Sequence, residues 1–211
     1  MVKLVRLGEE HLESTRRWLT ASPRLREQID CLAAPSSAEN EAYWRSKWAD
    51  KAREDYAIID GDVVHVGNCG LSDIDPKRQK AQLWIYVVER QGRGLGSRAV
   101  QLLLARAFDD LKLERVYLRV LITNPRAHAF YRRLGFVDEG CLRHDSVTND
   151  KFVDAFLLSI LSDKFRLISR RRWVSDPVRM ICEIIHRNGS RKAQPAERLQ
   201  GPEAERFTKI I

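Results

Sequence analysis

Between residues 84 and 111 the chain changes character twice within a short span. A β-rich run, Trp84-Ile85-Tyr86-Val87-Val88, passes through Glu89-Arg90-Gln91-Gly92-Arg93-Gly94-Leu95-Gly96 into a stretch opened by Ser97. From there Val100, Leu103, Leu104, Ala107, Phe108 and Leu111 recur at steps of three and four, the spacing of an amphipathic helix. A strand is thus joined to a helix by a turn rich in the residue that tolerates left-handed backbone and leaves room for a close approach. The free N–H groups of such a helix start suit a phosphate or pyrophosphate. The dinucleotide fingerprint needs Gly-x-Gly-x-x-Gly, whereas Gly92, Gly94 and Gly96 are each two apart, and no Gly-Lys-Ser/Thr follows to make a nucleotide-triphosphate loop. A tight turn that holds no ligand satisfies the pattern equally well.

The rest of the chain supplies the setting. Val2 to Leu7 alternates as a strand, and a helix is predicted from about Glu9 to Leu19, interrupted by Pro23. Ser36-Ser37-Ala38-Glu39 reads as a capping box opening a helix to about Ala52, in which Trp44 and Trp48 share a face suited to core packing. Tyr56–Ile59 and Val63–Leu71 flank Asp60-Gly61 as a hairpin, with a third strand over Ala81–Val88. Arg115 to Ile122 is rich in β-formers. Asn124-Pro125 caps a helix that Gly135 stops, and Val137–Arg143 with Phe152–Leu161 closes as a strand pair. The order predicts an α+β domain with a mixed sheet ending near Leu161.

Composition narrows the class. The 211 residues are 44% hydrophobic and 31% charged, enough for one sizeable core and not the make-up of a disordered chain. No apolar run approaches the ~20 residues of a membrane span, and Met1 to Glu9 mixes charge with apolar residues unlike a signal peptide. A soluble, cytoplasmic protein is expected. Cys31, Cys69, Cys141 and Cys182 lie far apart, without close His partners, and read as reduced thiols with no metal site. Of the net charge of +8, residues 162–211 carry twelve basic against six acidic positions. The basic character belongs to a tail, which weakens any nucleic-acid reading of the whole chain.

The glycine turn is followed by Asn124-Pro125-Arg126-Ala127-His128-Ala129-Phe130-Tyr131-Arg132-Arg133-Leu134-Gly135-Phe136. Together these motifs resemble the GNAT superfamily of acyl-CoA-dependent N-acyltransferases, whose Gln/Arg-x-x-Gly-x-Gly/Ala pattern is met by Gln91, Gly94 and Gly96. The Asn-x-x-Ala-x-x-x-Tyr-x-x-x-Gly-Phe run and the strand pair Glu139–Arg143 with Phe152–Asp154 are similar to the ribosomal-protein alanine acetyltransferases. The resemblance covers about residues 2 to 165. It implies an α+β fold with a mixed, mostly antiparallel central sheet flanked by helices, a catalytic domain over 1–165 and a basic extension over 166–211.

The resemblance further implies acetyl-CoA as co-substrate and transfer of acetyl to a primary amine by direct attack on the thioester. The amides of Gln91, Gly92, Arg93, Gly94, Leu95, Gly96 and Ser97 would hold the pyrophosphate, with Arg90 or Arg93 adding charge. Backbone groups of Ile85, Val87 and Val88 would pair with the pantetheine arm. Asn124 would bind that arm too, although capping its own helix is a complete role for it. Tyr131 would be the general acid: a phenol of pKa ~10 can protonate a departing thiolate whose conjugate acid lies near ~8.5. Its position beside Ala127, Phe130 and Leu134 on one helical face also fits a core aromatic.

For the amine's own proton, Asp73, Asp75, Glu89, His65, His144 and Asp145 lie near strand ends or loops, and none is singled out by spacing; ordered water serves as well. Trp84 and Tyr86 share a strand face and read either as acceptor-pocket lining or as core. Protein N-termini, amino sugars, polyamines and aminoglycosides all remain acceptors. The rival is a non-catalytic acyl-CoA-binding module of the same fold. In the tail, Asp176-Pro177 opens a short basic amphipathic helix with Val178, Ile181, Cys182 and Ile185 on one face, suited to packing on its own domain, a partner subunit such as a second copy, or an anionic membrane surface.

Overall fold

In a computed structural model, residues 1–29, 35–61, 64–148 and 151–173 are described. Seven strands, β1 (Val2–Arg6), β2 (Glu54–Asp60), β3 (Val64–Asp75), β4 (Lys80–Val87), β5 (Arg115–Leu121), β6 (Val137–Thr148) and β7 (Lys151–Leu161), form one sheet in the order β1-β2-β3-β4-β5-β7-β6. Every neighbouring pair is antiparallel except β4 and β5. Six helices, α1 (Leu12–Ala21), α2 (Pro23–Gln28), α3 (Ser37–Trp48), α4 (Leu95–Ala105), α5 (Pro125–Arg133) and α6 (Ser162–Trp173), cover both faces. The α+β, mostly antiparallel architecture expected from the sequence is the one found. No described helix is long and apolar enough to cross a membrane.

The alternation of the strands divides the interior in two. On one face, Leu4, Ile58, Leu71, Leu83, Val116, Leu118 and Leu158 join Val100, Leu103, Leu104 and Phe108 of α4 and its following turn, Tyr131 of α5 and Phe165 of α6 in one large core. On the other, the interior breaks into two smaller groups. Trp44 of α3 packs with Leu7, Ala57 and Ile59, while Trp18, Leu19 and Leu25 of α1 and α2 pack with Tyr86.

Two helices depart from the sequence reading. Pro23 does not merely interrupt α1: Ser22 Oγ accepts from the Leu25 amide at 3.1 Å and Pro23 occupies the first helical position, so a new helix starts there. At the other end, α6 runs without a break across residue 165, with Phe165 against Phe108 at 5.4 Å between centroids. Smaller shifts follow known chemistry. The first predicted helix opens as a 3₁₀ turn over Glu9–His11, and the helix after the glycine turn widens into a π turn over Arg106–Asp110. The closing strands are longer than predicted, because β6 continues past a register shift between Leu142 and Ser146. The predicted tail helix near Val178–Ile185 lies outside the described residues, as do Cys31 and Cys182; Cys69 and Cys141 are free thiols.

Candidate active site

The parallel pair decides where a ligand can enter. β4 and β5 are matched only at Lys80–Arg115, Ala81–Val116 and Gln82–Tyr117, and beyond these the two strands part. β5 is fully paired to β7 on its far side, and β4 is paired to β3 as far as Val87 with Gly67. A wedge therefore opens in mid-sheet toward the carboxyl ends of both strands. Val88 donates its N–H to Val66 at 2.8 Å, so by the alternation of an antiparallel ladder Tyr86 and Trp84 also direct their groups to β3. Val87 and Ile85 then turn their backbone groups toward the wedge, while the amide of Val88 is already spent. The Val87 carbonyl accepts from Gln91 Nε2 at 2.7 Å, which folds the loop back on its strand.

The loop itself is strongly shaped. Arg90, Gly92 and Gly94 have φ of 53°, 84° and 74°, an alternation that turns successive N–H groups into one concavity. Gly94 caps α4 in the left-handed region, no side chain caps the helix, and no acidic residue lies in its first turn. The amides of Leu95, Gly96 and Ser97 thus precede the first helical bond, from Arg98 N to Gly94 O at 3.1 Å. A Cβ built on Gly92 or Gly94 would meet nothing within 4 Å, so this side of the loop is open, whereas Gly96 faces Phe130 and Val87. The cradle fits a pyrophosphate. Arg90 is held by Asp60 at 2.8 Å, which leaves Arg93 without an ion pair among the described residues.

Tyr131 comes from α5, which starts as predicted: the Asn124 side chain accepts from Ala127 N at 3.1 Å and Pro125 follows. The tyrosine is buried between Phe130 and Phe136. It shares the large core with Cys69, which is the partner of Ile85 across β3 and β4. Burial pushes the pKa of Tyr131 well above that of an ordinary phenol and pushes the Cys69 thiol up as well, so the phenol stays protonated at neutral pH.

The opposite face carries a polar cluster whose members the sequence reading names only singly, His65 and Glu89 as proton acceptors and Tyr86 as pocket lining. Asn68 Nδ2 donates to Thr15 Oγ1 at 2.9 Å and to Tyr86 Oη at 2.7 Å, so its Oδ1 accepts from His65 Nε2 at 2.7 Å. His65 Nδ1 is 2.6 Å from Ser14 Oγ, and its ring lies against Trp18 at 4.6 Å. Trp18 in turn donates to Glu89 at 2.9 Å. Of the six proton-acceptor candidates, only His65 and Glu89 are thereby brought together. Asp73 and Asp75 lie toward the closed end of the wedge, Asp75 bonded to Arg78, while Asp145 pairs with Arg119 and His144 stacks on Phe152. Trp84 packs among Trp44, Arg53 and Gly70, which is a core role. These partners are up to seventy-one residues apart in sequence, so spacing along the chain could not join them.

Comparison with known proteins now bears on this geometry. A profile of the acetyltransferase (GNAT) domain matches residues 2–137. The chain belongs to this family. It is 28% identical to the spermidine N(1)-acetyltransferase of Vibrio cholerae over 128 residues, which are 60% of this chain and 74% of that protein. It is 28% identical to the ribosomal-protein-serine acetyltransferase of Escherichia coli over 99 residues, 46% of this chain and 55% of that one, so the match spans about half of that relative. The crystal structure of the Vibrio cholerae spermidine N-acetyltransferase in complex with CoA and spermine covers 78% of this chain and 98% of its own, with a TM-score of 0.73. At 24% identity that likeness is one of fold. This GNAT chain is an acetyl-CoA-dependent N-acetyltransferase, with acetyl-CoA as its co-substrate.

Proposed function

We propose that the wedge between β4 and β5 receives the pantetheine arm and that Tyr131 is the general acid of acetyl transfer to a primary amine. The observation that carries this is the convergence on one face of the open strand edge at Ile85 and Val87, the uncapped α4 terminus and the buried phenol. The amides from Gln91 to Ser97 hold the pyrophosphate, and Asn124 orders the turn into α5. The amine nitrogen attacks the thioester carbon, the carbon–nitrogen bond forms, and a tetrahedral intermediate carries the negative charge on oxygen. An N–H at the wedge, from Ile85 or Val87, stabilises that oxyanion. The carbon–sulfur bond then breaks, and the thiolate takes the Tyr131 proton, which solvent restores. The amine proton leaves through ordered water.

Residues 1–165 with the rest of α6 are the catalytic unit in this reading, and the remaining tail is an extension to it. The subgroup in this reading is that of the ribosomal-protein alanine acetyltransferases; of the two relatives above, one is named for ribosomal-protein serine and the other for spermidine. The test is CoA release with acetyl-CoA and a panel of primary amines. Amine-dependent release is expected. Binding of acetyl-CoA without any such release would instead indicate a binding module.

A further inference from the structure

A groove of about 560 Å³ opens between α2, the turn into α5 and the β6–β7 hairpin, within the size range of small-ligand sites. Its polar lining includes Arg24, Glu27, Asn124, Arg126, Thr148 and Lys151. Two observations tie it to the chemistry. Leu25 of α2 packs in the same cluster as Tyr86 and Val88, at the open end of β4. Asn124 caps the helix that carries Tyr131 about two turns further on. The groove therefore lies at the mouth of the wedge, on the side where α2, rather than α4, covers the sheet.

Its charge is one-sided. Among the described lining residues, Arg24, Arg126 and Lys151 stand against the one carboxylate of Glu27, and none of the three cations forms an ion pair with a described residue. Several arginines elsewhere are matched, Arg53 with Asp55, Arg106 with Glu54 and Arg119 with Asp145. We propose that this groove seats an anionic group of the acceptor, so that the favoured substrate is a primary amine bearing a carboxylate or phosphate rather than a polyamine. The inference rests on the N-acetyltransferase reading and deepens it. Like charge facing a tri- or tetracation suppresses the wrong partner, while an anion met by unpaired guanidinium and ammonium groups gains charge-assisted hydrogen bonds. The chain departs here from its spermidine-acetylating relatives in substrate, not in fold.

The experiment compares CoA release by the full-length protein on matched acceptors: ethanolamine against phosphoethanolamine, an amino acid against its amide, and spermidine. At least a ~10-fold higher kcat/KM is expected for the anionic member of one pair, and which pair responds separates phosphate from carboxylate. Arg24→Gln combined with Lys151→Gln should erase that preference by raising the acceptor KM, with the KM for acetyl-CoA unchanged. Spermidine matching or exceeding the anionic amines overturns the proposal. So does a rise confined to the acetyl-CoA KM, which would give the groove to the phosphates of CoA. If acetyl-CoA binds in calorimetry but no amine is turned over, the catalytic reading fails separately. The groove is then judged by titrating phosphoethanolamine and spermidine into the CoA complex, where anything but preference for phosphoethanolamine overturns it.

Discussion

The two faces of the sheet are built by different means. On the α4–α6 face one continuous apolar core supports a site made largely of backbone: the N–H groups of a left-handed loop, an open strand edge and one buried phenol. On the α1–α3 face the apolar groups are small and separate, and the space between them is filled by side-chain hydrogen bonds among Ser14, Thr15, His65, Asn68 and Tyr86. Backbone donors recognise a phosphate whatever side chains surround them, so the first face suits a co-substrate common to a whole family. Side-chain groups change with each substitution, and the second face suits the acceptor. In the proposed reading the difference teaches that the donor half is a property of the fold, while the acceptor half is a property of this chain.

If the first face is a single cooperative unit, removing any of its outer members should cost more than chemistry alone. Ending the chain after Lys164 removes Phe165, buried against Phe108, and Ile168, whose side chain closes over Gly135 just past α5. Losing a buried phenylalanine typically costs about 3–5 kcal/mol. Denaturant titration should therefore show this truncation strongly destabilised, whereas an end just after Trp173 should keep stability and acetyl transfer. Equal stability of the two truncations would detach α6 from the donor face.

Next in size is the phenol itself. Tyr131→Phe keeps the ring and its packing, so acetyl-CoA binding and melting temperature should hold while kcat falls roughly 10²-fold or more. Unchanged kcat, measured where chemistry limits the rate, would return Tyr131 to the core.

A smaller loss is expected at the loop. Gly94 has φ of 74°, and the space beside it is open. Gly94→Val combines left-handed strain with a branched side chain over the cradle, and should raise the Kd of acetyl-CoA by about tenfold or more. Gly94→Asn, which tolerates the same backbone, separates the two effects: wild-type affinity in both variants would mean that the loop does not cradle phosphate.

How far this comparison was visible in the sequence follows from the same distinction. The donor face could be read because its signals are local: the glycine spacing, the three-and-four periodicity after Ser97, and the Asn124-Pro125 cap all lie within single turns of chain. The Ser22-Pro23 start of α2 carries the same cap chemistry, yet a proline soon after a helix reads first as a stop. Helix α6 was hidden by its charge, since Ser162 to Trp173 is polar apart from a few residues such as Phe165 and Ile168. The basic groove had no local signal, and of the polar cluster single members such as His65 and Tyr86 could be named but not their meeting. Ser14 meets His65 across fifty-one positions, and Arg24, Arg126 and Lys151 are joined only when α2 lies beside the β5–α5 turn and the β6–β7 hairpin.

The smallest expected effect probes the second face through pH. Burial lowers the pKa of both His11 and His65 below the ordinary value of ~6.5, although a hydrogen bond to Asn68 works against this at His65 and the Glu10 carboxylate works against it at His11. In the unfolded chain the two imidazoles take up protons as pH drops through ~6.5, while in the folded protein they resist. The unfolded state then binds more protons, so stability should fall as pH falls below that value and level off once the folded-state histidines also titrate. His65→Gln retains an N–H for Asn68 Oδ1 and cannot be protonated. Its urea midpoint should therefore decline less steeply than that of the wild type between pH 7 and the mildly acidic range, a difference of roughly a few tenths of a unit of denaturant concentration. An equally steep decline in the variant would mean that His65 already exchanges its proton freely with solvent. The α1–α3 face would then be no more closed to water than the outer surface, and its distinction from the donor face would rest on the groove alone.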